Sequence, residues 1–210
     1  AKPGMMVNRD VDERNDPLTA TMGAARLLRS NYEQLRSWPL ALTAYNHGAA
    51  GIARAVKKTG SRDLSVIIEK YESRRFGFAS SNFYACFLAA LDVERNAQAL
   101  LGDVKWSTAF DGAEVDVSTP LEWRDVVRFY DGESALAELQ NPHLMKRVRT
   151  GKAKIPKRTF VRVPLSRREL AEDWAKGRIP AESLTARLQA IPIVLPQPRS
   201  AVATQDDISG

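Results

Sequence analysis

"WPLALTAYNHGAAGIARAVKK", Trp38–Lys58, holds two helical patterns and the corner between them. Leu40, Ala41, Ala44 and Tyr45 fall on one face of the first helix, and its alanines let neighbours approach closely. Ile52 and Val56 mark the second, Lys57 and Lys58 suit its negative C-terminal end, and Gly60 stops it. The corner is Tyr45-Asn46-His47-Gly48, with Gly48 placed for a left-handed cap. Tyr45-Asn46 admits two readings. In one, Tyr45 packs inward and Asn46 caps the helix end. In the other, an exposed ring covers the apolar face of a sugar and the amide bonds its hydroxyls. His47 reads as a helix-end or surface residue, because no serine, cysteine or carboxylate lies close in sequence to partner it as a base.

On the N-terminal side, Asp16 is placed to cap a helix with Pro17 at its first position. Ala24, Leu28, Tyr32 and Leu35 share its predicted inner face, and it ends near Arg36. On the C-terminal side, "DLSVIIEKY" predicts a short helix. A long one, "NFYACFLAALDVERNAQALLG", then runs to Gly102 with Tyr84, Phe87, Leu88 and Leu91 inward. Residues 12–102 thus read as an all-α unit. Cys86 falls inside the last apolar pattern and reads as an inert core thiol.

The pattern changes after Gly102. "EVDV", Glu114–Val117, and "RTFVRVP" alternate as strands. Between them, Thr119-Pro120-Leu121-Glu122 has the form of a capping box, and a second helix, "ESALAELQ", follows Asp131-Gly132. The order β-α-α-β predicts paired strands near Val115 and Val161 over a core of Trp123, Val126, Leu136 and Leu139. Ser166-Arg167-Arg168-Glu169 is another capping-box pattern, opening a helix through Leu170 and Trp174, and "AESLTARLQAI" is a last amphipathic helix. The proline-rich and polar end reads as an extended tail.

The net charge of +6 and pI near 9.6 favour polyanionic partners, with "KRVRTGKAKIPKR", Lys146–Arg158, the densest basic run. That run is either a solvated loop or a polyanion contact; without interleaved aromatics it does not predict nucleic-acid binding. One cysteine and two histidines, His47 and His143, lack metal-ligand spacing, so neither a metal site nor a cofactor is expected. Glu72-Ser73, Glu133-Ser134 and Glu182-Ser183 read as polar helix surfaces or starts, since no apolar pattern surrounds them to raise a carboxyl pKa.

"VDERNDPLTATMGAARLL" followed by "LALTAYNHGAAGIARAV" resembles the second half of the soluble lytic transglycosylase catalytic domain, as found in the membrane-bound lytic transglycosylase D group. The shared residues are Asp12-Glu13-Arg14, Asp16-Pro17, Ala20-Thr21, Ala24-Ala25, Leu28, Leu40-Ala41-Leu42, Ala44-Tyr45-Asn46, Gly48, Ile52 and Ala55. "SSNFYACFLAAL" resembles that family's closing helix; Asn82 matches, while Phe83 stands at the usual tyrosine, with Tyr84 next. "LQNP", Leu139–Pro142, with Leu144, resembles a LysM segment.

The resemblance implies a mainly α, lysozyme-like helical domain whose N-terminal part lies outside the chain, followed by a small β-α-α-β LysM-like module. It divides the chain into the C-terminal part of a transglycosylase domain over 1–105, a LysM-like module over 112–165, a helical extension over 166–192 and a flexible tail over 193–210. The implied activity is cleavage of the MurNAc–GlcNAc bond of peptidoglycan with formation of 1,6-anhydro-muramic acid. The alternative is a non-catalytic peptidoglycan-binding module. Tyr45, Asn46, Gly48, Phe83 and Tyr84 are the implied substrate-binding residues. The catalytic glutamate of the family precedes its "VDER" motif, so no catalytic residue is expected within the chain. The implied partner is the glycan strand, bound by a monomer in the bacterial cell envelope, at the periplasm or outer membrane.

Overall fold

The computed structural model describes residues 4–104 and 112–193. It is mostly helical, with one two-stranded sheet among the described residues. The chain divides into two compact units, one of residues 21–105 and the other of residues 1–20 together with 106–210. The boundary lies inside the first helix, α1, Pro17–Leu35.

In the first of these units, α2 spans Trp38–His47, α3 Ala49–Thr59, α4 Leu64–Lys70, α5 Phe78–Arg95 and α6 Ala97–Leu101. The local signals act as expected at several ends. Asp16 Oδ1 accepts from the Thr19 N–H at 2.8 Å to cap α1, and Asp63 Oδ1 accepts from Ser65 N–H at 2.8 Å to cap α4. Gly60 closes α3 in the left-handed conformation, φ 68°, ψ 10°. Asn31 is buried in α1 and donates to the Ala41 carbonyl at 3.2 Å, which fixes α2 against it. The core is Leu35, Leu40, Ala44, Ile52, Ala55, Leu64, Ile67 and Phe76, with Tyr71 and Tyr84 packed on it.

Three expectations in this unit change. Tyr45 is 42% exposed instead of inward, because its position on α2 lies beyond the buried run Leu40–Ala44. The long helix breaks at Asn96, whose backbone and side-chain amides both donate to the Asp92 carbonyl at 3.0 Å. Within α5 only Ser80 is fully buried; Leu88 is exposed and Tyr84, Phe87 and Leu91 are half-buried. Cys86 is therefore exposed, not a core thiol.

In the other unit, β1, Gly112–Asp116, pairs antiparallel with β2, Phe160–Pro164, in a register that sets Val115 opposite Val161. The connection carries α7, Trp123–Arg128, α8, Ser134–Gln140, and a one-turn α9, Lys146–Arg149. A 3₁₀ turn, Leu165–Arg167, then leads into α10, Arg168–Ala175, and α11, Ala181–Gln189. Val115, Val126, Phe129, Val161, Val163, Trp174, Leu184 and Leu188 share a single core with Val11 and Leu144. Residues 166–192 are thus not an appended extension. The almost fully buried Arg167 ties them in, donating to the carbonyls of Phe129 (2.8 Å) and Ile191 (2.7 Å).

β2 is buried at every position, unlike the alternating β1. Val161 and Val163 face the helices. Phe160 and Arg162 lie on the opposite face of the strand, and residues 6–16 cover it. Val11 bridges Leu144, the Asp12 N–H donates to the His143 carbonyl at 2.8 Å, and Met145 N–H donates to the Asp10 carbonyl at 2.9 Å. Asp16 pairs through both carboxylate oxygens with Arg162, and both residues are buried. The buried Glu13 carboxylate accepts from the Met6 N–H at 2.8 Å and from Thr159 Oγ1 at 3.3 Å. The expected division at 105 placed residues 1–20 with the all-α unit; their contacts place them here.

Neither capping-box pattern forms. Leu121 exchanges two backbone hydrogen bonds with Ile155 (2.8 and 3.2 Å), so α7 begins only at Trp123. Ser166 Oγ donates to the Pro192 carbonyl at 3.0 Å instead of capping α10. Leu139 is 72% exposed and outside the core, because α8 turns that side outward while Ala137 faces in. Of the predicted tail, residues 194–210 lie outside the described residues.

Candidate functional site

The corner between α2 and α3 is made by Gly48. Its backbone, φ 86° and ψ 137°, is a positive-φ extended conformation that side chains with a Cβ rarely adopt. It is not the left-handed helical cap expected from sequence. One residue thus ends α2 and starts α3: Gly48 N–H donates to the Ala44 carbonyl at 2.7 Å, and its own carbonyl accepts from Gly51 and Ile52. This abrupt reversal leaves Tyr45 and Asn46 on the surface and turns His47 inward.

α5 supplies the opposing groups. Phe83 stacks on Tyr45 with ring centroids 5.9 Å apart and planes 22° apart. Buried Ser80 donates its hydroxyl proton to Asn46 Oδ1 at 2.9 Å and lies 3.3 Å from His47 Nδ1. The Asn46 amide is thereby held by its oxygen. His47 also meets Phe76 edge-on, with centroids 5.1 Å apart, and Phe76 in turn meets Tyr71 at 5.4 Å. Tyr84 sits one position beyond Phe83, packed against the core.

Burial lowers the His47 pKa, and the positive charges of Arg54 and Arg75 push it the same way; a hydrogen bond to the Arg75 backbone opposes them. The ring is neutral at pH 7 on these terms. The fit around it is close: a Cβ on Gly51 would stand 2.5 Å from His47 Cδ2. Gly51→Ala is accordingly expected to push the ring outward while the helix itself gains propensity. With less burial, the His47 titration followed by NMR should move up toward the ordinary value near 6.5. A titration that stays low would mean that the ring keeps its seat.

Of the residues expected at the site, the structure brings Tyr45, Asn46 and Phe83 to one surface, with Gly48 as the turn and Tyr84 behind. Sequence reasoning missed Ser80 and gave His47 no partner. The two meet at a sequence separation of 33, and a serine beside a second serine in "ASSN" carries no local signal of burial. Of the Glu-Ser pairs, Glu72, Glu133 and Glu182 are all exposed, and Glu13 serves the other unit.

A stacked aromatic pair beside an amide braced on one side can cover an apolar ligand face, and the remaining amide N–H groups can donate hydrogen bonds. Residues 1–68 match the family model of the transglycosylase SLT domain. This match includes Tyr45–Gly48 and stops before Ser80, Phe83 and Tyr84. It supports a relation to the lytic transglycosylases, which act on peptidoglycan in the bacterial envelope. A comparison with curated proteins found no match to the chain. No helix among the described residues is long and apolar enough to cross a membrane.

Proposed function

We propose that the chain is part of a peptidoglycan lytic transglycosylase and that the α2–α3 corner is a wall of its glycan cleft. The observation that carries this reading is the Ser80–Asn46 hydrogen bond beside the Tyr45–Phe83 stack, within and next to the stretch that matches the SLT domain. Tyr45 and Phe83 cover sugar faces, Asn46 donates to a hydroxyl and Ser80 orients Asn46, while Tyr84 packs on the core. Cleavage in this class needs a carboxylic acid that protonates the glycosidic oxygen and then assists closure of the 1,6-anhydro ring. No carboxylate of the chain is assigned that role.

A second reading, a non-catalytic peptidoglycan-binding protein, draws on the antiparallel strands joined by helices between Gly112 and Pro164, the strand order of a LysM-like module.

Both readings expect the 210-residue chain to sediment with insoluble peptidoglycan, and neither assigns a catalytic acid among its residues. Incubation should therefore release no anhydro-muropeptides by mass spectrometry. Asn46→Ala and Ser80→Ala should each weaken sedimentation by roughly 2–10-fold, the equivalent of one hydrogen bond of about 0.5–1.5 kcal/mol. Undiminished binding by both variants would remove the corner from the cleft.

A further inference from the structure

A cleft of about 400 Å³ lies in the other unit, between the start of α7 and the loop after α9. Its lining includes Glu122, Trp123 and Arg124 on one wall and Arg149, Gly151 and Lys154 on the other. The two backbone hydrogen bonds between Leu121 and Ile155 pin the walls together at their base. The loop is held along its length: Gly151 N–H donates to Val148, Ala153 N–H to Arg147, and Gly151 turns at φ 72°. The cations on it are thus presented from fixed backbone positions.

Three cations and one carboxylate face this space. Arg124 Nε is 3.1 Å from Glu122, and Lys154 Nζ is 3.8 Å from the same carboxylate, beyond hydrogen-bond distance. Arg149 uses Nη1 for Glu138 at 3.0 Å. Each guanidinium has five N–H groups and the ammonium three, so these contacts leave further donors on the residues that line the cleft. Side-chain exposure is 69% for Arg124 and 62% for Lys154, against 30% for Arg149 deeper in.

We propose that this cleft binds a carboxylate-bearing organic ligand. The surplus of positive charge is small, which suits a singly charged carboxylate better than a doubly charged phosphate. Trp123 is buried, so it offers no open face for a nucleobase to stack on. The volume suits a dipeptide or one to two sugar rings. If the chain engages peptidoglycan, as proposed above, the carboxylates are those of the peptides attached to the glycan or of the sugar acid itself.

The test uses the whole chain and N-acetyl-alanyl-glutamine, whose one carboxylate is singly charged, with its α-amide, the neutral diamide, as the control. Amide shifts of residues 121–124 and 149–155 in NMR should move with the acid and not with the diamide. Arg124→Gln with Lys154→Gln should weaken binding roughly tenfold or more, as expected for lost charge-assisted hydrogen bonds. Arg187→Glu, on the exposed side of α11, should leave it unchanged. Because Arg124 and Lys154 are exposed, the double variant should keep its thermal midpoint; should it unfold, the single Lys154→Gln is read instead. Equal binding of acid and diamide, or wild-type binding by these variants, overturns the proposal. Glycan strands stripped of peptide separate the sources. If the variants lose affinity for these strands too, the ligand is the sugar acid; if only for peptide-bearing material, it is the peptide. Failure of the whole chain to bind any peptidoglycan, with dipeptide binding intact, would refute the peptidoglycan reading and leave the carboxylate site standing.

Discussion

Asp16→Ala is expected to destabilise the unit of residues 1–20 and 106–210 by about 3–5 kcal/mol, because it removes the buried, two-pronged partner of the Arg162 guanidinium and leaves it the more exposed Glu114 carboxylate at 3.3 Å. Typical domains have only about 5–15 kcal/mol in total. Urea unfolding followed by the fluorescence of buried Trp123 and Trp174 reads the change. A shift below 1 kcal/mol would show that residues 6–16 do not depend on this pair.

The same pair makes a pH prediction. Burial alone would raise the Asp16 pKa, but hydrogen bonds from Arg162 and Thr19 outweigh it and bring the group down to about 2. A depressed carboxylate stabilises the fold above its unfolded pKa and loses that contribution as pH falls toward its folded value. The full contribution of about 2.5 kcal/mol is lost progressively between roughly pH 5 and pH 1. His143 adds to it from higher pH. Its Nε2–H donates to the Phe160 carbonyl at 2.9 Å, while Nδ1 is buried without a hydrogen-bond partner. Burial lowers its pKa, so the unfolded chain takes up the proton first, and stability declines as pH falls below about 6.5. Asp16→Ala should flatten the acidic limb of the stability curve and leave the decline assigned to His143.

Residues 112–165 on their own should show no cooperative unfolding transition and little NMR dispersion. Cutting there removes Val11, Leu170, Ala171, Trp174, Leu184 and Leu188 from one continuous core. Losing Trp174, which packs on Phe129 at 5.2 Å, is itself comparable to a large-to-small core change of about 3–5 kcal/mol. The excision also leaves Arg162 without Asp16. A folded 112–165 fragment would show that the strands and their connecting helices suffice.

The sequence made the short-range features legible. Asp16-Pro17 and Asp63 mark helix starts, Gly60 a helix end, and the Val115–Val161 pairing follows from alternation. Each depends on neighbours within one turn or on the period of a strand. What stayed hidden depends on distant partners. "VDERNDP" looks like the lead-in to a helix, yet Glu13 and Asp16 find Thr159 and Arg162 far along the chain. Thr119–Glu122 has the residues of a cap, but Leu121 is taken by Ile155. At the corner, Tyr45 and Asn46 stood out as types, whereas Ser80, the residue that fixes the amide, could be found only in three dimensions.

The separation of Asp16 and Arg162 also bears on how the protein is made. They are 146 residues apart. At about 5–20 residues per second, a ribosome that has just released Asp16 needs roughly 7–30 s to reach its partner. The helices of residues 21–105 have all their own partners early and can form while translation continues. Residues 6–16 cannot. Until β2 emerges, Val11 and the carboxylates of Glu13 and Asp16 remain in water, so this stretch docks long after it has been synthesised.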